Sequence, residues 1–566
     1  MELRQKRWHL YPPQPALSEK ISHHLTLDPV IAQLLLNRGI RSLDQASSFL
    51  QPENLGSPNF PEDVLIAASE LVREAIEKQT LIFVYGDYDV DGMTSTAIMT
   101  SMLKRLGARV HFMIPNRFLD GYGLSKRALE MVRQEGAGLL ITLDCGISNA
   151  KEIDLLKADT DCKVLILDHH TVPDRQPNAE AILNPKFLAE DHALSGLCTA
   201  GIVYKFWEFY CQYFKLDVTP DRHLDLVALG TVADVAPLVQ ENRRLTLLGL
   251  TSLSARKRVG IRTLLEVAKF THKTVSPRDI GFTIAPRLNA AGRLGDAKIC
   301  VELMMTEDET EALRLATMLQ QLNEDRRFYC DQLLTEALQQ AEQIPGLADH
   351  RVIVLHAEGW HPGIIGIIAS RIVETYSRPA VIISVEDGLA RGSARSIGDV
   401  NIYEILKECQ PFFSSFGGHK AAAGFSLVPD KIEAFKAHLI SVAAEKVSQT
   451  DLMPVLDLEC ELDPKQLTLS LATSLQTLEP YGAENPVPLF YTRSLKAIDF
   501  KTVGNGKHLK VTFTDAARSV VIDAIGFGLH DKLQLLYNPQ VELAFSLEIN
   551  TWLGRESPQL VLVDIK

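Results

Sequence analysis

The chain has 566 residues, of which 46% are hydrophobic and 23% charged, the balance of a globular protein and not of a disordered one. Its length predicts about four folding units, and its net charge of −13 argues against a protein that coats nucleic acid by bulk charge, while leaving room for a local basic groove. No apolar run approaches the ~20 residues of a membrane helix, and Met1-Glu-Leu-Arg-Gln-Lys-Arg leads into no apolar signal region. Eight cysteines without a Cys-x-x-Cys pair read as reduced thiols, so the expected location is the cytoplasm, with no membrane partner.

Residues 1–65 read as a small helical segment: Val30-Ile-Ala-Gln-Leu-Leu-Leu has helical spacing, and Pro52, Pro58 and Pro61 interrupt the chain after it. From 66 to 300, apolar runs at 81–85, 139–143 and 163–167 alternate with helical patterns at 94–106 and 125–134. That alternation predicts βαβ units and a parallel sheet buried on both faces. Residues 301–345 predict a long connector helix, because 307–343 contain neither Pro nor Gly. A second α/β unit is expected at 346–445, and β-rich runs at 446–566 predict a small barrel. The fold class is therefore α/β, with two α/β units on a connector helix and a C-terminal β-rich barrel.

Three buried-strand patterns end in acids: Gly-Asp87-Tyr-Asp89-Val-Asp91-Gly, Leu-Asp144-Cys-Gly and Leu-Asp168-His169-His170. In open α/β sheets, sites gather at the carboxyl ends of strands, so these acids are expected to converge. Asp234, in Gly-Thr-Val-Ala-Asp-Val-Ala-Pro, sits in an apolar stretch where an unpaired carboxylate is costly, which calls for a cation. Carboxylates with imidazoles suit Mn²⁺ or Mg²⁺, and the lack of Cys ligands argues against structural zinc. The first acidic run also matches half a calcium loop, but the twelfth position is Ile98 where that loop needs Glu. A solvated acidic turn, a paired His169-His170 at a strand end and a packing role for Cys145 are the simpler readings of each part taken alone.

Taken together and in this order, the four motifs resemble the DHH phosphoesterase superfamily and, within it, the RecJ family. Pro286-Arg287-Leu-Asn289-Ala-Ala-Gly-Arg293, Gly363-Ile-Ile-Gly, Gly392-Ser393-Ala-Arg395-Ser and Gly417-Gly-His419-Lys-Ala-Ala-Ala-Gly add to the resemblance. It implies a single-stranded-DNA-specific 5′→3′ exonuclease that releases 5′-mononucleotides with two metal ions, in recombination and repair. It also implies that the C-terminal barrel is OB-like, and that a single-strand-binding protein and a RecQ-type helicase are partners. Asp89, Asp91, Asp144, His169 and Asp234 are the implied metal ligands, with Asp144 as the bridge. Asp87 is a further metal candidate, and His170 is assigned to catalysis or to substrate phosphate. Many relatives carry His where this chain has Tyr85.

Arg117, Arg287 and Arg395 are candidates for a phosphate cradle, since guanidinium forks match phosphate oxygens, and Asn289, Ser393 and His419 join them. Tyr122 is a candidate single-strand contact. From residue 451 onward acids outnumber bases, but the segment 493–518 reverses this with Arg493, Lys496, Lys501, Lys507, Lys510 and Arg518 around Phe500 and Phe513. Arg493, Lys507 and Lys510 are therefore candidate strand contacts, with the aromatics either stacking bases or filling the barrel core. Two other readings stand beside the nuclease: a DHH-type pyrophosphatase or oligonucleotide or cyclic-dinucleotide phosphodiesterase, and a degenerate, non-catalytic replication scaffold. A monomer is expected.

Overall fold

The structure, a computed structural model, describes residues 6–54, 56–121 and 123–566. Strand β1 (Arg7–Leu10) is followed by three short helices, Pro15–Leu25, Pro29–Asn37 and Leu43–Leu50. Asp28 caps the second and a Ser42–Gln45 capping box starts the third, so each of these two helices satisfies its first amides locally. The apolar spacing at 30–36 is buried along its whole length.

Strands β2 (Ile82–Tyr85), β3 (Val110–Met113), β4 (Leu139–Leu143), β5 (Lys163–Leu167) and β6 (Ala181–Leu183) form an all-parallel sheet in the order β3-β2-β4-β5-β6. Ile82, Val84, Ile141 and Leu165 face one helical layer, while Phe83, Tyr85, Leu140 and Val164 face the other, which is why these strands read as unbroken apolar runs. The chain order reverses between β2 and β4, so loops after these strands diverge and leave a crevice at their carboxyl ends. The sheet ends at Leu183, and from Thr199 to Met305 the unit is built of helices. The alternating pattern expected up to residue 300 thus covers only its first half. The apolar run of Leu224–Ala233 forms a helix buried on all sides, a case in which apolar content alone does not separate helix from strand.

The connector is one helix, Glu309–Glu342, about 50 Å long at 1.5 Å per residue. Ala312, Leu315 and Leu319 belong to the core of the first unit, and Leu333, Ala337 and Ala341 to that of the second. The helix therefore holds the two units apart at a fixed spacing. The second unit is a mixed sheet of β7 (Ile353–Glu358), β8 (Ala380–Glu386), β9 (Leu389–Arg395), β10 (Phe413–His419) and β11 (Ala422–Leu427), in the order β10-β11-β9-β8-β7.

Strand β12 (Val455–Leu458) pairs in parallel with β1. The chain ends in a closed barrel of β13 (Phe490–Val503), β14 (His508–Asp515), β15 (Val521–Gly526), β16 (Val541–Trp552) and β17 (Arg555–Ile565), in the order β13-β14-β15-β17-β16. Its core is continuous with the N-terminal helices, whose Ile31, Leu34 and Leu35 share one buried cluster with Phe490, Leu543 and Phe545. A buried ion pair, Arg38 Nη1 to Glu459 Oε1 at 3.0 Å, joins the two ends of the chain. Arg243, on the helix Gln240–Ser254, donates to the carbonyls of Phe49, Leu478 and Glu479. One fully buried guanidinium thus ties the first α/β unit to both chain ends, with these hydrogen bonds going to backbone oxygen.

Candidate active site and metal centre

All the acids singled out above lie at the carboxyl edge of the parallel sheet or on helices packed over it. Asp87 and Asp89 occupy the turn after β2, where Asp89 caps the helix Val90–Arg105 by accepting from Gly92 N at 3.0 Å. A Cβ on Gly92 would come within 2.6 Å of the Asp87 backbone, so only glycine lets this loop close. Asp91 points at the start of the helix Thr199–Tyr213 and accepts from the amides of Thr199 (2.7 Å) and Ala200 (2.9 Å). Gly230 leaves the room for it, since a Cβ there would stand 2.8 Å from Asp91 Oδ1. Asp144 follows β4 in the left-handed region, at φ 62°, and accepts from Thr199 Oγ1 at 3.0 Å. His169 lies with Nε2 3.3 Å from Asp144 Oδ1 and Nδ1 3.9 Å from Asp234 Oδ2, and Asp234 caps the helix Leu224–Ala233.

These side chains fall into overlapping sets with ligand-bearing atoms within 4.8 Å of one another: Asp87, Asp89 and Asp144; Asp91, His169 and Asp234; and Asp144, His169 and His170. Burial and the charge of Asp89 push Asp87 up to about 8 and Asp91 to about 6. Burial and the charges of Asp91 and Asp89 push Asp234 to about 8 and hold Asp144 well above the carboxylate range. Burial, with the neighbouring His170, lowers His169 to about 4, leaving its imidazole neutral and able to bind a cation. Asp87 Oδ1 is buried without a hydrogen-bond partner. Crowded carboxylates of this kind, with an orphaned oxygen and a neutral imidazole among them, fit divalent cations that take oxygen and nitrogen ligands.

Asp168 is fully buried and plays a different part. Its oxygens accept from Ile147 N (3.0 Å) and from His170 N (3.1 Å) and Nδ1 (2.7 Å), so it orients His170. Tyr85 donates its hydroxyl to Gly123 O at 2.9 Å inside the core and stays out of the acid cluster.

A cavity of about 370 Å³ is lined by Asp87, Asp89, Asp91 and Asp234 and also by Tyr88, Arg117, His170, Asn289 and Arg293. Arg117 lies over the Tyr88 ring, 5.1 Å from its centroid. Arg293 donates to Gly363 O across the cleft at 2.9 Å, and burial together with Arg117 and Arg395 lowers it to about 10. Arg395 donates to Ser393 Oγ at 3.0 Å and reaches the start of the helix Ile365–Tyr376; burial and then Arg117 lower it too. Arg117 and Arg293 line the cavity and Arg395 stands near enough to interact with both; guanidinium forks of this kind match phosphate oxygens.

Arg287 does not line this cavity. It donates to Gln320 on the connector helix (2.8 Å) and to Thr283 O (2.5 Å). Sequence reasoning chose it and passed over Arg293, six residues on along the same helix, Ala285–Leu294. Thr199 was missed as well, and a lone threonine after Cys198 carries no sequence signal. His419 is exposed at the end of β10 and is joined to Arg395 through Ala422 across two strand pairings.

On the barrel, Lys507 and Lys510 are exposed, and Lys510 lies opposite Lys501 in the β13–β14 ladder. Arg493 is exposed and pairs with Glu461 at 3.2 Å. Phe513 is fully buried in the barrel core. Phe500 is half-buried, edge-on to the exposed Tyr537 at 4.9 Å. Tyr122 lies outside the described residues.

Three family models match the chain: DHH family, N-terminal domain, at residues 81–231; DHHA1 domain at 349–445; and RecJ OB domain at 458–564. The single-stranded-DNA-specific exonuclease RecJ of Bacillus subtilis is 33% identical over 99% of this chain and 70% of its own length. The protein of the same name from Escherichia coli is 33% identical, over 95% of this chain and 96% of its own length. The crystal structure of RecJ in complex with Mn²⁺ from Thermus thermophilus superposes with a TM-score of 0.85 at 32% identity, covering 99% of this chain and 79% of that one.

Proposed function

Because the chain belongs to the RecJ family, we infer that it is a single-stranded-DNA-specific exonuclease dependent on Mn²⁺ or Mg²⁺. It is a phosphodiester hydrolase, and its fold is two α/β units on a connector helix with an OB barrel. The observation that carries the site assignment is the meeting of Asp87, Asp89, Asp91, Asp144, His169 and Asp234 in overlapping sets, beside a cavity that four of these acids line together with Arg117 and Arg293.

We assign the metal ions to these six residues, with Asp144 shared between the sets. Two divalent cations held there would lower the pKa of a shared water and offset charge on the leaving oxygen. The chain's own residues do the rest. Thr199 fixes the Asp144 carboxylate, the amides of Thr199 and Ala200 fix Asp91, and Asp168 turns His170 toward the cavity rim. Arg117, Arg293 and Arg395, with Asn289 and Ser393 beside them, hold the terminal phosphate, which places the scissile bond over the acids and gives the 5′→3′ polarity and mononucleotide product. The connector helix fixes the cleft width, which we read as room for one strand. Lys507 and Lys510 hold the strand farther out, on the barrel.

We further propose action in recombination and repair in the cytoplasm, as a monomer, with a single-strand-binding protein and a RecQ-type helicase as partners. Comparing the degradation of a single strand, its duplex, pyrophosphate and a cyclic dinucleotide under Mn²⁺ tests the reading. Loss of the single strand alone supports it. Hydrolysis of only the two small molecules would favour the pyrophosphatase or phosphodiesterase reading, and no hydrolysis of any would favour the scaffold.

A further inference from the structure

Past Asp234 the acid cavity gives way to a second, apolar groove of about 660 Å³. Its near wall is the chain after Asp234, where Val235 is 71% exposed at φ 58°. Its far wall is the segment leading into the barrel, with Tyr481 and the exposed Val487. Phe282 completes the lining at 79% exposure. Single exposed apolar side chains are ordinary, but three lining one groove mark a ligand surface.

Phe282 sits on a π-turn, Ile280–Ile284, inserted in an otherwise α-helical run from Pro277 to Leu294. Ile280 and Ile284 are fully buried while Phe282 between them faces outward. Single π-turns inside helices recur at functional sites, and the same helical run carries Asn289 and Arg293 into the acid cavity. One rigid element therefore lines both the groove and the proposed catalytic site.

We propose that this groove seats the part of the single strand that leaves the acids toward the barrel, and that Phe282 is its base-stacking platform. The inference rests on the catalytic reading above. With its terminal phosphate at the arginines and its scissile bond at the acids, the strand crosses this groove to reach the barrel. Glu479 and Glu548 in the lining repel phosphates, so the bases face the groove, and Arg278 at its edge is placed for the backbone. A base can lie on Phe282 only when it is unpaired, which makes Phe282 a specificity-determining residue.

The test is steady-state degradation by the full chain, with Mn²⁺, of a 5′-phosphorylated oligothymidylate and of versions in which one abasic residue is walked along the strand. In the unmodified protein one position is expected to raise KM by about 5- to 150-fold, the range for base–aromatic stacking. Phe282→Ala is expected to raise KM on the intact strand similarly and to lose the penalty at that position, and Phe282→Trp to restore both. A cooperative melt confirms that the variants fold. An unchanged KM in Phe282→Ala, or a positional penalty that survives it, overturns the platform and leaves the groove to a protein partner. Failure of the unmodified chain to degrade the intact strand instead overturns the catalytic reading on which the proposal rests.

Discussion

Asp144 and His169 leave the ends of neighbouring parallel strands and meet with Asp144 Oδ1 3.3 Å from His169 Nε2. Asp144 also belongs to the set with Asp87 and Asp89, which is the ground for proposing it as a carboxylate shared between the ions. Asp144→Asn keeps the size of the side chain and removes its charge. Hydrolysis is expected to fall by more than about 100-fold, because even an outer partner of a metal ligand is worth roughly 10–100-fold. The metal-free variant is expected to melt at or above the unmodified chain, since one of several crowded carboxylates is gone. Near-normal activity with Mn²⁺ would remove Asp144 from the centre.

The acid cluster sets a pH dependence opposite to that of an ordinary salt bridge. Asp87 and Asp234 are pushed up to about 8 and Asp91 to about 6, by burial first and by neighbouring acids second. A carboxyl raised in the folded state adds stability while protonated, below about pH 4, and loses it as pH rises through its folded value. The melting temperature of the metal-stripped chain is therefore expected to fall between pH 5 and 8. The increment on adding Mn²⁺ should grow over the same range, because binding releases protons. A flat or rising metal-free profile would contradict this.

The arginine cradle predicts a preference for a 5′-phosphate over a 5′-hydroxyl end. Arg395→Ala is expected to reduce that preference by roughly 10- to 150-fold, the worth of a charge-assisted hydrogen bond of about 1.5–3 kcal/mol acting in the transition state. Arg287→Ala is expected to leave it in place, because that side chain is spent on Gln320 and Thr283 O. Competition between the two substrates in one reaction reads the ratio directly.

How far the sequence carries is visible at these two arginines and at Arg293. The acids were legible because buried strands ending in Asp place them at one sheet edge whatever the details. Arg287 and Arg293 stand six residues apart on one helix, about 120° around its axis, and which of them faces the cleft depends on how the helix packs, which no local pattern records. Of the two readings open for Phe513, the strand pattern favours the core, since Phe513 alternates inward with Leu509 and Val511 along β14. The docking of the N-terminal helices on the barrel rests on the Arg38–Glu459 pair, 421 positions apart in the chain, and on Arg243, and it left no mark in any one segment alone.

That docking also shapes how the barrel is tested. Deleting it would strip the cover from Ile31, Leu34 and Leu35, so point substitutions are the cleaner probe. Replacing the exposed Lys507 and Lys510 by Ala is expected to lower the salt-dependence slope of binding to a long single strand by about 1.4, at roughly 0.7 per lost phosphate contact. Titration of a fluorescent oligonucleotide at several salt concentrations measures it, and an unchanged slope would place the strand elsewhere.

The most direct measurement of the central claim is product analysis on a long single strand carrying a label at its 5′ end, with Mn²⁺ and with chelator. The site arrangement predicts that the first labelled product is a mononucleotide, that it appears without labelled fragments of intermediate length, and that chelator or Asp144→Asn abolishes it. Labelled fragments shortening stepwise from the other end, or labelled oligonucleotides as first products, would contradict the placement of the terminal phosphate against Arg117, Arg293 and Arg395.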